Sequence, residues 1–252
     1  MLIYLVAGAR PNFMKIAPIV RALQARPDAP AFKIIHTGQH YDRELNDVFF
    51  EELGIPQPDV FMAAGGGCYA QQTAKIIIGF EELCTATRPD AVPALAMLCA
   101  SPCFVRGPDW RHGVSADIFR SFADGLRNDY RGTLQLFIAL EAFGSDHARD
   151  DIRSLRGELF ARGEPAAEAL AAGLELLETS DLRGALPALS IPSLWIAGHR
   201  DRLVDPRAMQ AAADLAPNAS VHVVEHAGHA PFLTHADDVA MLLADFAMEH
   251  GA

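Results

Sequence analysis

Apolar positions along the chain fall into two alternating patterns. Short runs that are mostly apolar on both faces occur at LIYLVA (2–7), FKIIHT (32–37), ALAMLCA (94–100), SLWIAG (193–198) and SVHVVE (220–225), as buried parallel strands require. Between them, apolar residues recur at helical spacing: Ile16, Ile19, Val20 and Leu23; Ala74, Ile77, Ile78, Phe80 and Leu83; Val239, Leu242, Leu243 and Phe246. This alternation predicts an α/β fold, a doubly wound and mostly parallel sheet covered by helices on both faces. One region breaks the rhythm. From about Ser115 to Leu186 there are four helical segments and no strand: SADIFRSFADGLRND, RGTLQLFIALEAF, DHARDDIRSLRGELFAR and PAAEALAAGLELLETS. They predict a helical cap at about 111–186, inserted before the last two strands and over the strand ends where such folds bind ligands.

Composition narrows the choice of partners. The 252 residues are half apolar, enough for a full core, and carry a net charge of −11. That balance argues against nucleic acid as the general partner and favours a small molecule or a protein. No apolar run approaches the roughly 20 residues needed to span a bilayer, and the first seven residues are too short and lack the basic start of a signal peptide. The expectation is a cytoplasmic protein. Cys68, Cys84, Cys99 and Cys103 show no C-x-x-C spacing, so no disulfide framework is expected. Cys99 and Cys103, at or just after a strand, read as small buried thiols rather than metal ligands, and the sequence implies no cofactor. All three lysines fall in the first 92 residues, after which isoleucine thins out and Arg and Ala take over.

The motifs divide at the same place. In VAGARPNFMKIAPIVRAL (6–23) a strand runs into Gly8 and a helix opens near Pro11. Arg10, Lys15 and backbone N–H groups therefore converge on a helix N-terminus, which is either an anion site or an ordinary turn with solvated basic residues. Together with HTGQHYDREL (36–45) and GGGCYAQQTAKIIIGFEEL (65–83), residues 1 to about 92 resemble the N-terminal part of the UDP-N-acetylglucosamine 2-epimerases. The resemblance implies that Arg10, Lys15, Gln39 and His40 line a cleft for a nucleotide sugar. The segment departs from that family at Tyr69-Ala70-Gln71-Gln72-Thr73, where His-Ala-Glu-Gln-Thr is usual, and PALAMLCASPCF replaces the strand that would end in Gly-Asp-Thr and lead to the epimerase acids.

A second chemistry lies near the C-terminus. A strand ending at Gly198 is followed by a turn with Asp201, and the next strand is followed by a loop with His229. Acid then histidine, one strand–helix–strand unit apart, is the order in which α/β-hydrolases set a carboxylate to fix and stabilise an imidazole base. Singly, Asp201 reads as a turn carboxylate and His229 as a satisfied loop residue; the pairing favours catalysis. Asp205 precedes Pro206 and reads as a helix cap, and His199, His222, His226 and His235 read as solvated or structural. No Gly-x-Ser-x-Gly occurs: Ser101 precedes Pro102, and Ser115 heads a cap helix with Asp117 in place of the second glycine.

From about 93 to 252 the chain resembles the BioH-type pimeloyl-carrier-protein methyl ester esterases of biotin synthesis, which are α/β-hydrolases. The resemblance is carried by LAMLCASPCFVRGPDW (95–110), SDLRGALPAL (180–189), SLWIAGHRDRLVDP (193–206) and AGHAPFLTHADDV (227–239). It implies ester hydrolysis with Asp201 and His229 in the acid and base roles, on a small-molecule ester or an acyl-carrier protein. It also implies that cap arginines, Arg149, Arg153 and Arg156 among them, form a docking face for an acidic carrier; pairing with neighbouring acids such as Asp150 and Asp151 is the plainer account of their charge. The two resemblances together read as a chimera joined near residues 92–93. The missing serine then implies weak hydrolysis or a catalytically silent fusion.

Overall fold

The computed structural model describes residues 2–8, 10–38, 50, 53–66, 69–87, 94–141 and 167–250. In chain order the first described elements are β1 (Leu2–Ala7), α1 (Arg10–Ala25), β2 (Ala31–His36), β3 (Val60–Phe61), α2 (Tyr69–Thr87) and β4 (Leu95–Leu98). There follow α3 (Ala116–Asn128), α4 (Tyr130–Glu141), α5 (Ala167–Thr179), β5 (Ser193–Gly198), α6 (Pro206–Ala213), β6 (Ala219–Val224) and α7 (Ala236–His250). The chain divides into two compact units, Met1–Ala94 with Ala236–Ala252, and Leu95–His235. The last helix, expected from sequence with the second segment, thus belongs with the first unit.

In the first unit β1 pairs parallel with β2 along its whole length, from Leu2 opposite Ala31 to Ala7 opposite His36, and β3 extends the sheet by two residues. Asp59 holds β3 in place: its carboxylate accepts from Ile34 N at 2.8 Å and its own N–H donates to Ile34 O at 2.9 Å. Val20, Leu23, Ile34, Ile35, Phe13 and Phe50 are buried. His36 is buried with them, its ring against Phe13 and Phe61 and its Nδ1 accepting from Gly38 N at 2.8 Å. α1 packs on β1 and on α7. Helical periodicity places α2 correctly but not its environment, because Ile77 and Ile78 are 61% and 54% exposed.

In the second unit β5 is the centre of a parallel sheet β4-β5-β6, and all six of its residues are buried. Trp195 is the largest fully buried side chain and donates from Nε1 to Ser193 Oγ at 3.2 Å. α6 covers this sheet with Ala208, Met209, Ala212 and Ala213, packed with Trp195, Ala197 and Val204. Asp205 caps α6 by accepting from Arg207 N, with Pro206 at the first helical position, as the sequence predicts. The described strands are therefore all parallel, as their apolar character on both faces requires, in two sheets of three among the described residues.

The cap is helical among the described residues. α3 buries Phe119, Ala123 and Leu126 against Leu174 of α5, and Ser115 caps α3 by accepting from Ile118 N at 3.2 Å. The segment predicted as a further helix at 146–162 lies outside the described residues. Entry to and exit from the cap are tied together. Cys103 bridges Asp181 in antiparallel fashion, Leu182 N donates to Pro102 O at 2.8 Å, and Trp110 Nε1 donates to Cys103 O at 2.8 Å. Arg183 stacks over the Trp110 ring at 5.3 Å, pairs with Asp181 at 2.6 Å and reaches Asp109 at 3.2 Å.

The Arg183 side chain and its backbone N–H donate to Asp181 and hold its carboxyl down at about 2. Stability from this pair is thus present above the ordinary carboxylate range, about 4, and is lost as pH falls towards about 2. Asp181 is exposed, so solvent screening limits the contribution to about 1 kcal/mol or less. Thermal melts of Asp181→Asn are expected to fall below wild type by about 2–4 °C at pH 7 and to approach it as pH drops from about 4 to about 2.

Candidate active site

The geometry of the site begins with a lack of space. A Cβ added to Gly198, the last residue of β5, would overlap the carbonyl oxygen of Gly228 and lie 2.8 Å from that of Ala227. Glycine alone lets the loop after β6 cross the end of β5 this closely. Backbone bonds then seat the loop: His199 N donates to Val224 O at 3.0 Å and Arg200 N to Ala227 O at 2.8 Å. The turn carrying Asp201 closes through Asp201 N to Gly198 O at 3.1 Å.

Asp201 and His229 meet at this crossing. Asp201 Oδ1 accepts from Leu203 N at 2.8 Å and Val204 N at 2.9 Å, while Oδ2 lies 2.9 Å from His229 Nδ1. The carboxylate side chain is fully buried and the imidazole 11% exposed. An ionised carboxylate only accepts, so Nδ1 carries the hydrogen and Nε2 keeps its lone pair for a proton or another acceptor of electrons. The two strand-end loops thus hold one oriented imidazole with a defined tautomer.

One further residue stands beside the pair, Cys99, which the sequence reads only as a small buried thiol and not as part of this site. Cys99 follows β4, donates its N–H to Ile196 O at 2.9 Å, and is 6% exposed. Its φ is +46°, a left-handed conformation that costs a residue with a Cβ about 1 kcal/mol or more and turns the chain sharply at the strand end. Ligating atoms of Cys99, Asp201 and His229 all lie within 4.8 Å of one another. The signal that finds it is strand order: β4 pairs directly with β5, Leu98 opposite Ile196, so the residues after both strands share one sheet edge.

The other residues singled out in the sequence are distributed differently. Ser101 donates to Cys103 O at 2.7 Å and belongs to a loop, not to a strand-to-helix turn. His199 pairs with Glu225 at 3.0 Å, His226 contacts Arg200 at 2.9 Å, His235 contacts Thr234 at 2.7 Å, and His222 is exposed on β6. Lys15 is part-exposed on α1 in the first unit, and Arg10 begins that helix, its side chain outside the described residues. Gln39, His40, Arg149, Arg153 and Arg156 also lie outside the described residues. On α3, Arg120 pairs with Asp117 at 2.6 Å and Arg127 with Asp124 at 2.9 Å. Both arginines line a cavity of about 440 Å³ with Glu175 and Glu178 of α5.

Residues 83–236 match the family described as the alpha/beta hydrolase fold, and residues 21–95 match UDP-N-acetylglucosamine 2-epimerase. Similar proteins include the pimeloyl-[acyl-carrier protein] methyl ester esterase of Stenotrophomonas maltophilia (strain K279a), 57% identical over 155 residues, which are 62% of this chain and 60% of that protein. The enzyme of that name from Xanthomonas campestris pv. campestris (strain B100) is 56% identical over 161 residues, 64% of this chain and 63% of its own. The chain therefore spans about three fifths of the length of these relatives. Among solved structures, an esterase from Exiguobacterium antarcticum superposes with a TM-score of 0.66 at 16% identity, covering 98% of this chain and 92% of that one. A hydrolase from Oleispira antarctica gives 0.63 at 19%, covering 98% and 91%. These likenesses concern the fold. Among the described residues no helix is long and apolar enough to cross a membrane.

A methyl at position 198 has no room, so Gly198→Ala is expected to push the loop at 227–229 outward, lowering stability by about 1–3 kcal/mol. It should also abolish the downfield imidazole N–H proton resonance that the Asp201–His229 hydrogen bond produces. An unchanged resonance in the variant would show that the crossing does not set the pairing.

Proposed function

Because the chain belongs to the α/β-hydrolase fold family, we propose that Asp201 and His229 are the acid and base of a carboxylic-ester hydrolase site of BioH type. On this reading the substrate is a methyl ester borne by an acyl-carrier protein, as the names of the relatives suggest. The observation that carries it is the 2.9 Å contact between a buried carboxylate and an imidazole at the ends of adjacent parallel strands.

The sequence contains no Gly-x-Ser-x-Gly, so the reading assigns the attack to water. His229 Nε2 takes a proton from a water molecule as its oxygen adds to the ester carbonyl. The imidazolium, stabilised by Asp201, gives the proton to the methoxide oxygen as the C–O bond breaks, so that methanol leaves and the carboxylic acid remains. Without the covalent intermediate, a lone base supplies only about 10²- to 10⁴-fold of acceleration. Low turnover is the corollary. The arginines of the cap, Arg149, Arg153 and Arg156, are assigned to docking the acidic carrier.

Hydrolysis of a short p-nitrophenyl ester by the purified chain is expected to exceed that of His229→Ala by about 10²-fold or more. Equal rates in two folded proteins would reject the assignment and leave a silent fusion. Charge reversal at Arg149, Arg153 and Arg156 to Glu is expected to abolish carrier-protein binding measured by titration calorimetry; unchanged binding would remove the docking role.

A further inference from the structure

The ends of three adjacent parallel strands bring together a thiol, a carboxylate and an imidazole. Cys99 follows β4, Asp201 follows β5 and His229 follows β6, and their ligating atoms lie within 4.8 Å of one another. From this we infer that the three residues form a binding site for a thiophilic divalent metal ion of the zinc class. The inference shares Asp201 and His229 with the hydrolase reading and does not rest on it.

Three properties of the cluster argue for an ion. The first is donor chemistry: thiolate, imidazole and carboxylate are the three side-chain ligands that zinc takes, with bonds of about 2.0–2.3 Å. A tetrahedral ion spaces such ligands by about 3.3–3.8 Å. The most distant of the three atoms, at up to 4.8 Å, closes by about an ångström, and the 2.9 Å Asp201–His229 contact opens by less than that. The second is orientation. Asp201 Oδ1 is anchored by two backbone N–H groups, which leaves Oδ2 as the donor directed at the cluster, the kind of outer support that metal-ligating carboxylates have. The third is access. Cys99 and Asp201 are each 6% exposed and the His229 side chain 11%, an enclosure that suits a single ion with one solvent ligand.

Charge and protons balance simply. The ion displaces the thiol proton of Cys99, and His229 Nδ1, its hydrogen passing to Nε2, donates its lone pair to the ion in place of its hydrogen bond to Asp201. The +2 charge then faces two anionic ligands, and no oxidant or reductant is involved. Imidazole held in this way is unavailable as a base, so metal uptake and His229-dependent hydrolysis exclude one another.

The test uses the full chain, freed of trace metal by a chelator and titrated with Co²⁺. One equivalent is expected to produce a near-ultraviolet thiolate-to-cobalt charge-transfer band and visible bands of tetrahedral intensity, and Zn²⁺ should bleach both. Cys99→Ser is expected to lose the charge-transfer band. Asp201→Asn and His229→Gln should weaken Co²⁺ affinity by more than the roughly 10- to 100-fold that changes outside the ligand shell cost. In the unmutated chain, Zn²⁺ should protect Cys99 from iodoacetamide while Cys84 and Cys103 label at unchanged rates, as mapped by peptide mass. Absence of the band together with absence of protection in the wild-type chain would overturn the inference, as would a charge-transfer band that persists in Cys99→Ser. Neither readout involves ester hydrolysis, so failure here and failure of the hydrolase reading are separate results.

Discussion

The approach of two backbones at Gly198 governs the chemistry of the second unit. The strand β5 ends where the loop after β6 must pass, and any side chain at that point would occupy the space of the Gly228 carbonyl. Because the loop crosses there, Ala227 O receives Arg200 N, and His229 comes down beside the turn that began at Gly198. Asp201 is meanwhile held by Leu203 N and Val204 N. Its second oxygen therefore has a fixed direction, towards His229 Nδ1.

Around this crossing the unit is layered by burial. β5 contributes six buried residues, and α6 closes one face with small residues that let it sit low on Trp195 and Ala197. The cap is joined to the sheet by a neck in which Arg183 serves three partners at once, Asp181, Asp109 and the face of Trp110. Guanidinium suits such a place because its planar fork accommodates carboxylates at its edge and an aromatic ring on its face. The Cys103 thiol, in the same neck, is pushed up by burial and then by the charge of Asp181.

Much of this was legible in the sequence, for particular reasons. SLWIAG is apolar on both faces and became the central strand without shift, whereas β6, read the same way, alternates between half-buried and exposed positions with only Val224 buried, and lies at one end of the described sheet. Asp205-Pro206 announced a helix start because cap and ring chemistry are local. Asp201 and His229 could be paired from chain order alone. Cys99 could not, since its meeting with them depends on β4 lying next to β5 across the whole cap, and strand adjacency leaves no mark on composition or spacing. β3 escaped because two residues carry no period. α2 was found as a helix, yet Ile77 and Ile78 of its apolar stripe are exposed; periodicity reports which residues share a stripe and is silent on whether anything covers it. The epimerase-like residues Gln39 and His40 fall outside the described part of the chain.

The connections of the β4-β5-β6 sheet also order its assembly in time. β5 and β6 are joined through residues 199–218, while β4 reaches β5 only after residues 99–192. Closing the longer connection costs about 1.4 kcal/mol more in chain entropy on a logarithmic loop-length scale, and non-local strand pairing is correspondingly slow. The carboxylate and the imidazole lie within one short contiguous stretch and can find each other early. Bringing the thiol beside them depends on the costlier closure, so the meeting of carboxylate and imidazole is entropically the easier of the two.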